Sequence, residues 1–287
     1  MRTIEVKEKT ALLDFLFKHL SEYKKTNVRQ LLKFGHIAVN GQVTTQFNRP
    51  LEPGDQVIIE SKNRPTLNLF QKYKIELIHE DEDIIVIDKP SGLLAIATEQ
   101  IKTKTAYHIV NEYVKNTSRG RIFVVHRLDQ GTSGLLVFAK DPDVKRSLQK
   151  KWEHVKKRYF AVVHGKPPEP SGEIISKLRQ NKFLQVYSTN DEKETYKSIT
   201  RYRLVKTTKH YSLLDVELET GRKHQIRVHL SDLGMPVVGD DRYSEGKKEN
   251  VPLALHAYYL SFEHPRHKKQ LVFRTKLPER LAQLIDA

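Results

Sequence analysis

The 287-residue sequence predicts an α+β protein. Strand-like apolar runs alternate irregularly with helical segments, which argues for a mixed sheet rather than a regular βαβ winding, and the pattern breaks once, over the polar stretch Glu60-Ser61-Lys62-Asn63-Arg64-Pro65. Upstream of that break, Leu12, Leu13, Phe15, Leu16, Phe17 and Leu20 crowd into one short helix. A second helix, Val28 to Phe34, is expected to start at a Thr26 or Asn27 cap and to stop at Gly35. Ile37-Ala38-Val39 and Gln42-Val43 flank Asn40-Gly41, the strongest local hairpin signal, and Pro53-Gly54-Asp55 turns into the strand Gln56 to Ile59. The expected organisation is a small unit over 1–62, a linker over 63–74 and a large domain over 75–287.

In the large domain, Ile84-Ile85-Val86-Ile87 reads as a buried strand ended by Lys89-Pro90-Ser91-Gly92. Ala106, Ile109, Val110, Tyr113 and Val114 keep helical spacing within 104–115. Asp141-Pro142 reads as a cap and first-turn proline, opening a helix whose inward face carries Val144, Leu148, Trp152 and Val155. Further strands are expected at 158–164, 199–205 and 211–218, the last alternating Leu214, Val216 and Leu218 with Asp215, Glu217 and Glu219.

The chain carries 50 Lys and Arg against 35 Asp and Glu, a formal charge of +15, which suits a polyanionic partner such as RNA. It has no cysteine, so neither disulfides nor zinc-thiolate sites nor a thiolate nucleophile enter the reading. Met1 to Lys7 lacks the apolar core of a signal peptide. No apolar run approaches the ~20 residues of a membrane helix, so a soluble cytoplasmic protein without membrane contact is expected.

Three runs carry the chemistry. His126-Arg127-Leu128-Asp129-Gln130-Gly131-Thr132-Ser133-Gly134 sets one carboxylate in a turn between apolar strand-like segments. Lys157-Arg158-Tyr159 opens a strand on which Tyr159 shares a face with Ala161 and Val163. Thr220-Gly221-Arg222-Lys223-His224-Gln225-Ile226-Arg227 passes from a strand into a short helix, with Ile226, Leu230 and Leu233 on one face and Gly234 at its end. Arg227 is placed to reach inward toward a buried carboxylate, while Arg222, Lys223 and His224 crowd a helix start that welcomes anions.

Together these runs resemble the RluA family of RNA pseudouridine synthases. His126-Arg127-Leu128-Asp129 with Thr132-Ser133-Gly134-Leu135 is similar to the catalytic loop, and Lys157-Arg158-Tyr159 to the tyrosine motif. Thr220 to Leu230, followed by Gly239-Asp240-Asp241-Arg242-Tyr243, is similar to the third motif in order and spacing. The likeness covers residues 75 to 275. One departure is Leu94-Ala95-Ile96-Ala97, where members often carry a Val-His pair. The small unit, with its basic helix (Lys24, Lys25, Arg29, Lys33), Gly35 to Gly41 and Pro53 to Val57, resembles the αL RNA-binding module of a protein of the small ribosomal subunit.

The resemblance implies a bent, mixed and mainly antiparallel sheet and the isomerisation of uridine to pseudouridine, without metal, redox or nucleotide cofactor. Large-subunit ribosomal RNA is the favoured substrate, with transfer RNA behind it. Asp129 would act as a nucleophile or as the base that leads to a glycal, and the sequence does not choose between the two. A pocket that excludes water disfavours a charged carboxylate, and Arg227 is expected to oppose that through an ion pair. Tyr159 would stack on the flipped uracil or handle the carbon 5 proton. Arg127, two residues from Asp129 and so on the same side of an extended segment, would fill the vacated stack. His126, Arg222, Lys223, His224, Arg29 and Lys33 complete the expected RNA contacts, although alternation points His126 away from Arg127.

Competing readings are a noncatalytic RNA-binding or ribosome-assembly protein and an RNA N-glycosylase. A hydrolase built on Ser133 lacks the Gly-x-Ser-x-Gly elbow. A metal site at His224 and His229 lacks i, i+4 spacing and an acidic partner. Protein partners and oligomeric state are not readable.

Overall fold

The computed structural model describes residues 2–23, 25–33, 35–59, 65–118, 120–191, 195–244, 246 and 249–286. Its contacts divide the chain into two compact units, Met1–Tyr73 with Ile109–Arg121, and Lys74–His108 with Ile122–Ala287.

In the first unit the strands Arg2–Glu5, Gln56–Ile59, Ile37–Val39 and Gln42–Val43 form an antiparallel sheet in that order. Helices Leu12–His19 and Lys25–Lys33 supply Leu12, Phe15, Leu16 and Val28 to a core shared with Ile37 and Val57. Asn40 and Gly41, with φ of 52° and 79°, make the tight turn that the Asn-Gly pair predicts. The Asn40 side chain locks it, donating to Asp55 Oδ1 at 2.8 Å and accepting from the Gln56 N–H at 2.8 Å. The second helix starts at Lys25, ahead of the expected cap, and the side chains of Thr26 and Asn27 lie outside the described residues. It ends as expected at Gly35, whose φ is 73°, with the His36 N–H donating to the Leu31 carbonyl at 2.9 Å. Glu60 to Arg64, most of the polar break, also lie outside the described residues. Most of the expected linker over 63–74 is a helix, Pro65–Lys72, with Pro at a first-turn position where its missing N–H costs nothing.

The second unit is built on an eleven-stranded sheet. Its main path runs Val186–Thr189, Ser171–Gln180, Tyr196–Thr207, Tyr211–Leu218, Lys156–His164, Leu255–Glu263, Ser133–Ala139, Ile84–Lys89 and Glu76–Glu80; Gln270–Arg274 and Phe123–Val124 pair off this path. All neighbours are antiparallel except Ser133–Ala139 with Leu255–Glu263. The mixed, mainly antiparallel sheet with flanking helices is the expected α+β fold.

Strand Ser133–Ala139 is buried along its whole length, which its unbroken apolar run from Leu135 to Ala139 dictates. Asp141 caps helix Pro142–Lys150 by accepting the N–H groups of Asp143 and Val144 at 2.8 and 3.2 Å. Val144, Leu148 and Val155 face the core as expected, but the helix stops at Lys150 and Trp152–His154 is a 3-10 turn. Helix Gln225–Asp232 buries Ile226 and Leu230; Leu233, expected on the same face, lies beyond its end and is exposed. Among the described residues no helix is long and apolar enough to cross a membrane.

Candidate active site

Asp129 sits in the segment that joins Phe123–Val124 to Ser133–Ala139, and backbone chemistry on both sides fixes it. Gly134 has a φ of 118°, and a Cβ there would lie 2.3 Å from the Ala257 carbonyl oxygen, so only glycine lets the two parallel strands approach. On the other side Lys89, fully buried, donates from Nζ to the carbonyls of Pro90, Leu93 and Gln130 at 2.9, 2.7 and 3.2 Å. Burial pushes the Lys89 amine down to about 7, against the attraction of Asp129 and Asp88. Gly92 and Gln130 exchange two further hydrogen bonds, and the Ser91 hydroxyl donates to the Gly131 carbonyl at 2.6 Å. The Lys-Pro-Ser-Gly segment, read from sequence only as a strand end, is therefore the platform under the Asp129 loop.

A cavity of about 230 Å³ opens at Asp129, lined by Arg127, Thr132, Tyr159, Leu218, Leu255 and the segment Gly221–Arg227. Arg227 Nη1 stands 3.6 Å and His224 Nε2 3.7 Å from Asp129 Oδ2. Both distances exceed a good hydrogen bond. Arg227 makes its short contacts elsewhere: its Nε and Nη2 grip the two oxygens of Asp240, each at 2.7 Å. Asp240 Oδ1 also accepts the N–H groups of Arg242 and Tyr243, and these bonds and the Arg227 charge outweigh burial and hold its carboxyl below the usual range.

The expected Asp129–Arg227 pair is thus a looser charge contact, and Asp240 is the tight partner. The result is a cation locked in place beside a carboxylate whose oxygens it does not consume. Tyr243 extends the lock, with its ring 5.1 Å from the Arg227 guanidinium and its hydroxyl 2.8 Å from His224 Nδ1.

His224 adopts a left-handed conformation, φ 55°, immediately before helix Gln225–Asp232, which turns its ring inward. Burial, with Arg227, Lys223 and Arg242 nearby, pushes its pKa down to about 4 despite Asp129, so at neutral pH the ring is uncharged. Expected among the RNA contacts, it forms part of the wall of the pocket at Asp129. Tyr159 lies on the strand face toward the cavity, and burial together with the charge of Asp129 pushes its phenol up, so it stays protonated at neutral pH.

Arg127 is exposed at the cavity rim. Arg222 stacks 4.6 Å over the exposed Tyr196 ring, and Lys223 donates to the Leu184 carbonyl at 3.3 Å. Burial and the charges of Arg127 and Arg242 push the Lys223 amine down, the mark of a crowded positive rim. The expected contact at His126 is corrected: its Nε2 accepts the Val137 N–H at 3.1 Å and its ring stacks on Trp152 at 4.4 Å, so it braces the fold. In the first unit Arg29 lies 5.3 Å over the Phe17 ring with its charge exposed, and the Lys33 side chain lies outside the described residues.

Fold and site together set a carboxylate and an anchored guanidinium in one cavity of a mixed, mainly antiparallel sheet. The solved human RNA pseudouridylate synthase domain containing 4 has the same fold, with a TM-score of 0.62 at 24% identity over 77% of this chain and 94% of that one. The family model for RNA pseudouridylate synthase matches residues 83–232. The sequence is 32% identical to RNA pseudouridine synthase YlyB of Bacillus subtilis, over 99% of this chain and 96% of the relative. It is also 32% identical to ribosomal large subunit pseudouridine synthase D of Zymomonas mobilis, over 75% of this chain and 73% of that protein. The chain belongs to the RNA pseudouridine synthase family, whose members are isomerases.

Proposed function

We propose that Asp129 is the catalytic carboxylate and that large-subunit ribosomal RNA is the substrate. The observation that carries the first part is the disposition of Asp129 in a nucleobase-sized cavity, facing a guanidinium already anchored by Asp240. In the reaction the bond from uracil N1 to the ribose C1′ breaks, the uracil turns over, and C5 bonds to C1′ and then gives up its proton, while N1 ends with one. Asp129 serves at C1′ as a nucleophile that C5 then displaces, or removes the C2′ proton to give a glycal and returns it as C5 bonds to C1′.

Arg227, held by Asp240, sets a positive charge beside the carboxylate without tying up its oxygens. Tyr159, protonated, suits stacking on the turning uracil or donating to it better than taking the C5 proton. A paired uridine cannot reach this cavity, so the base must be extruded at a cost of roughly a few kcal/mol, and Arg127 on the rim is the side chain placed to fill the gap.

Three facts support a ribosomal target: the relative named for the ribosomal large subunit, the +15 charge, and the basic helix of the first unit with its exposed Arg29. Transfer RNA is the second choice, and a cytoplasmic location is part of the same proposal. The test is pseudouridine mapping by carbodiimide labelling and reverse transcription. Unmodified large-subunit RNA and transfer RNA are each treated with the parent protein or with Asp129→Asn. New stops on the large-subunit RNA with the parent alone are expected. Activity of Asp129→Asn within about tenfold of the parent, against the loss of many decades that removing the reacting group entails, would refute the site. Stops confined to transfer RNA would refute the target.

A further inference from the structure

The C-terminal helix Glu279–Asp286 sends one guanidinium into the base of the catalytic loop. Arg280 is largely buried. Its Nη2 donates to the Ser133 hydroxyl at 2.8 Å and its Nη1 to the Leu253 carbonyl at 2.9 Å. Ser133 is the first residue after the Asp129 turn, in which the Thr132 N–H donates to the Asp129 carbonyl at 3.2 Å. Leu253 lies directly under the same turn, since a Cβ on Gly131 would meet its side chain at 3.1 Å. The guanidinium therefore bridges the exit of the turn and the segment beneath it.

Ser133 is gripped from a second side. Its hydroxyl is 2.9 Å from His256 Nδ1, and His256 Nε2 is 2.8 Å from the Thr275 hydroxyl. Burial and the Arg280 charge push the His256 ring down to about 4, so the imidazole is neutral and can offer Ser133 an acceptor while Arg280 supplies the donor. Buried polar groups satisfied in this way hold one geometry and resist others.

We propose that Arg280 is a positioning residue for the isomerisation: through Ser133 and Leu253 it sets the direction in which Asp129 meets the ribose. This rests on the reading of Asp129 as the catalytic carboxylate. Neither Arg280 nor Ser133 lines the cavity, so the contact reaches substrate only through the loop.

The experiment compares Arg280→Gln, Ser133→Ala and the double variant in the full chain, with Arg280→Lys and Asp129→Asn alongside. Kinetics are measured on a large-subunit RNA transcript and thermal melting on the free protein. Misplacement of a reacting group by a fraction of an ångström costs rate and not affinity, so kcat should fall about 10- to 100-fold in each single variant with KM within about twofold. Because both substitutions cut the same contact, the double variant should lose no more than the worse single. Arg280→Lys, which retains the charge on a single donor nitrogen in place of two, should recover part of kcat.

A folded Arg280→Gln with unchanged kcat, losses that multiply in the double variant, or a rise in KM alone would overturn the proposal. If Arg280→Gln fails to fold, Ser133→Ala decides by the same kcat criterion. Residual activity in Asp129→Asn would instead bring down the catalytic reading on which the proposal stands.

Discussion

Replacing Asp240 with alanine should be more damaging than its distance from the reacting atoms suggests. The substitution strands Arg227, whose side chain is 7% exposed and whose partner carboxylate is fully buried. It also removes the acceptor for the N–H groups of Arg242 and Tyr243. Breaking such a pair from one side costs about 3–5 kcal/mol, because the remaining charge is left without compensation in a dry site. At about 2–4 °C per kcal/mol for a unit of this size, the melting temperature should drop by roughly 6–20 °C.

The pH dependence gives an independent signature. The folded-state pKa of Asp240 is depressed, so its stabilisation is complete above the ordinary carboxylate pKa and is lost as pH falls through the folded value. The parent should therefore lose stability in acid more steeply than Asp240→Ala, and the two melting curves should converge. Urea unfolding followed by tryptophan fluorescence at several pH values reads both effects, and Trp152 is the sole reporter. An Asp240→Ala protein within about 1 kcal/mol of the parent at neutral pH would mean that Arg227 is held by its contacts to Asp129 and Asp241 alone.

Two substitutions elsewhere in the second unit have defined outcomes. Gly134→Ala forces a methyl group onto the Ala257 backbone in a conformation that alanine avoids; the parallel pairing must open, and soluble expression or the melting temperature should fall by more than any surface change would cause. Asp141→Ala uncaps helix Pro142–Lys150 and should cost about 0.5–2 kcal/mol in urea unfolding while leaving kcat unchanged, since neither Asp141 nor that helix is among the described residues that line the cavity.

The chemistry-bearing runs were legible because each is local: a carboxylate in a turn, an alternating strand, an arginine on a helix start. Partnership was harder to read. Asp240 stood in a quoted run beside Asp241, and spacing alone cannot say which of two neighbouring carboxylates turns inward; the loop after Gly239 decides it. Strand alternation did point His126 away from Arg127, and it is the bond to the Val137 N–H that takes it out of the RNA contacts.

Helix Pro65–Lys72 was missed because its polar N-terminal half masks a proline well suited to a first turn. Strand Ser171–Gln180 was missed because its burial alternates only weakly, as expected near the end of a sheet with one face toward water. The parallel pairing of Ser133 with His256 has no local signal at all: it joins residues more than a hundred positions apart.

That pairing bears on the order in which the molecule is made. Synthesis proceeds from the N-terminus, and contacts between distant positions must wait for the later partner to appear. The loop bearing Asp129 is complete early, but Leu253, His256 and Ala257, which lie beneath it, emerge from the ribosome more than 120 residues later. A nascent chain holding every cavity-lining residue through Arg227 would still lack the strand that sets the loop. Catalytic competence is thus deferred until that distant strand has been made, whatever RNA the growing chain has already met.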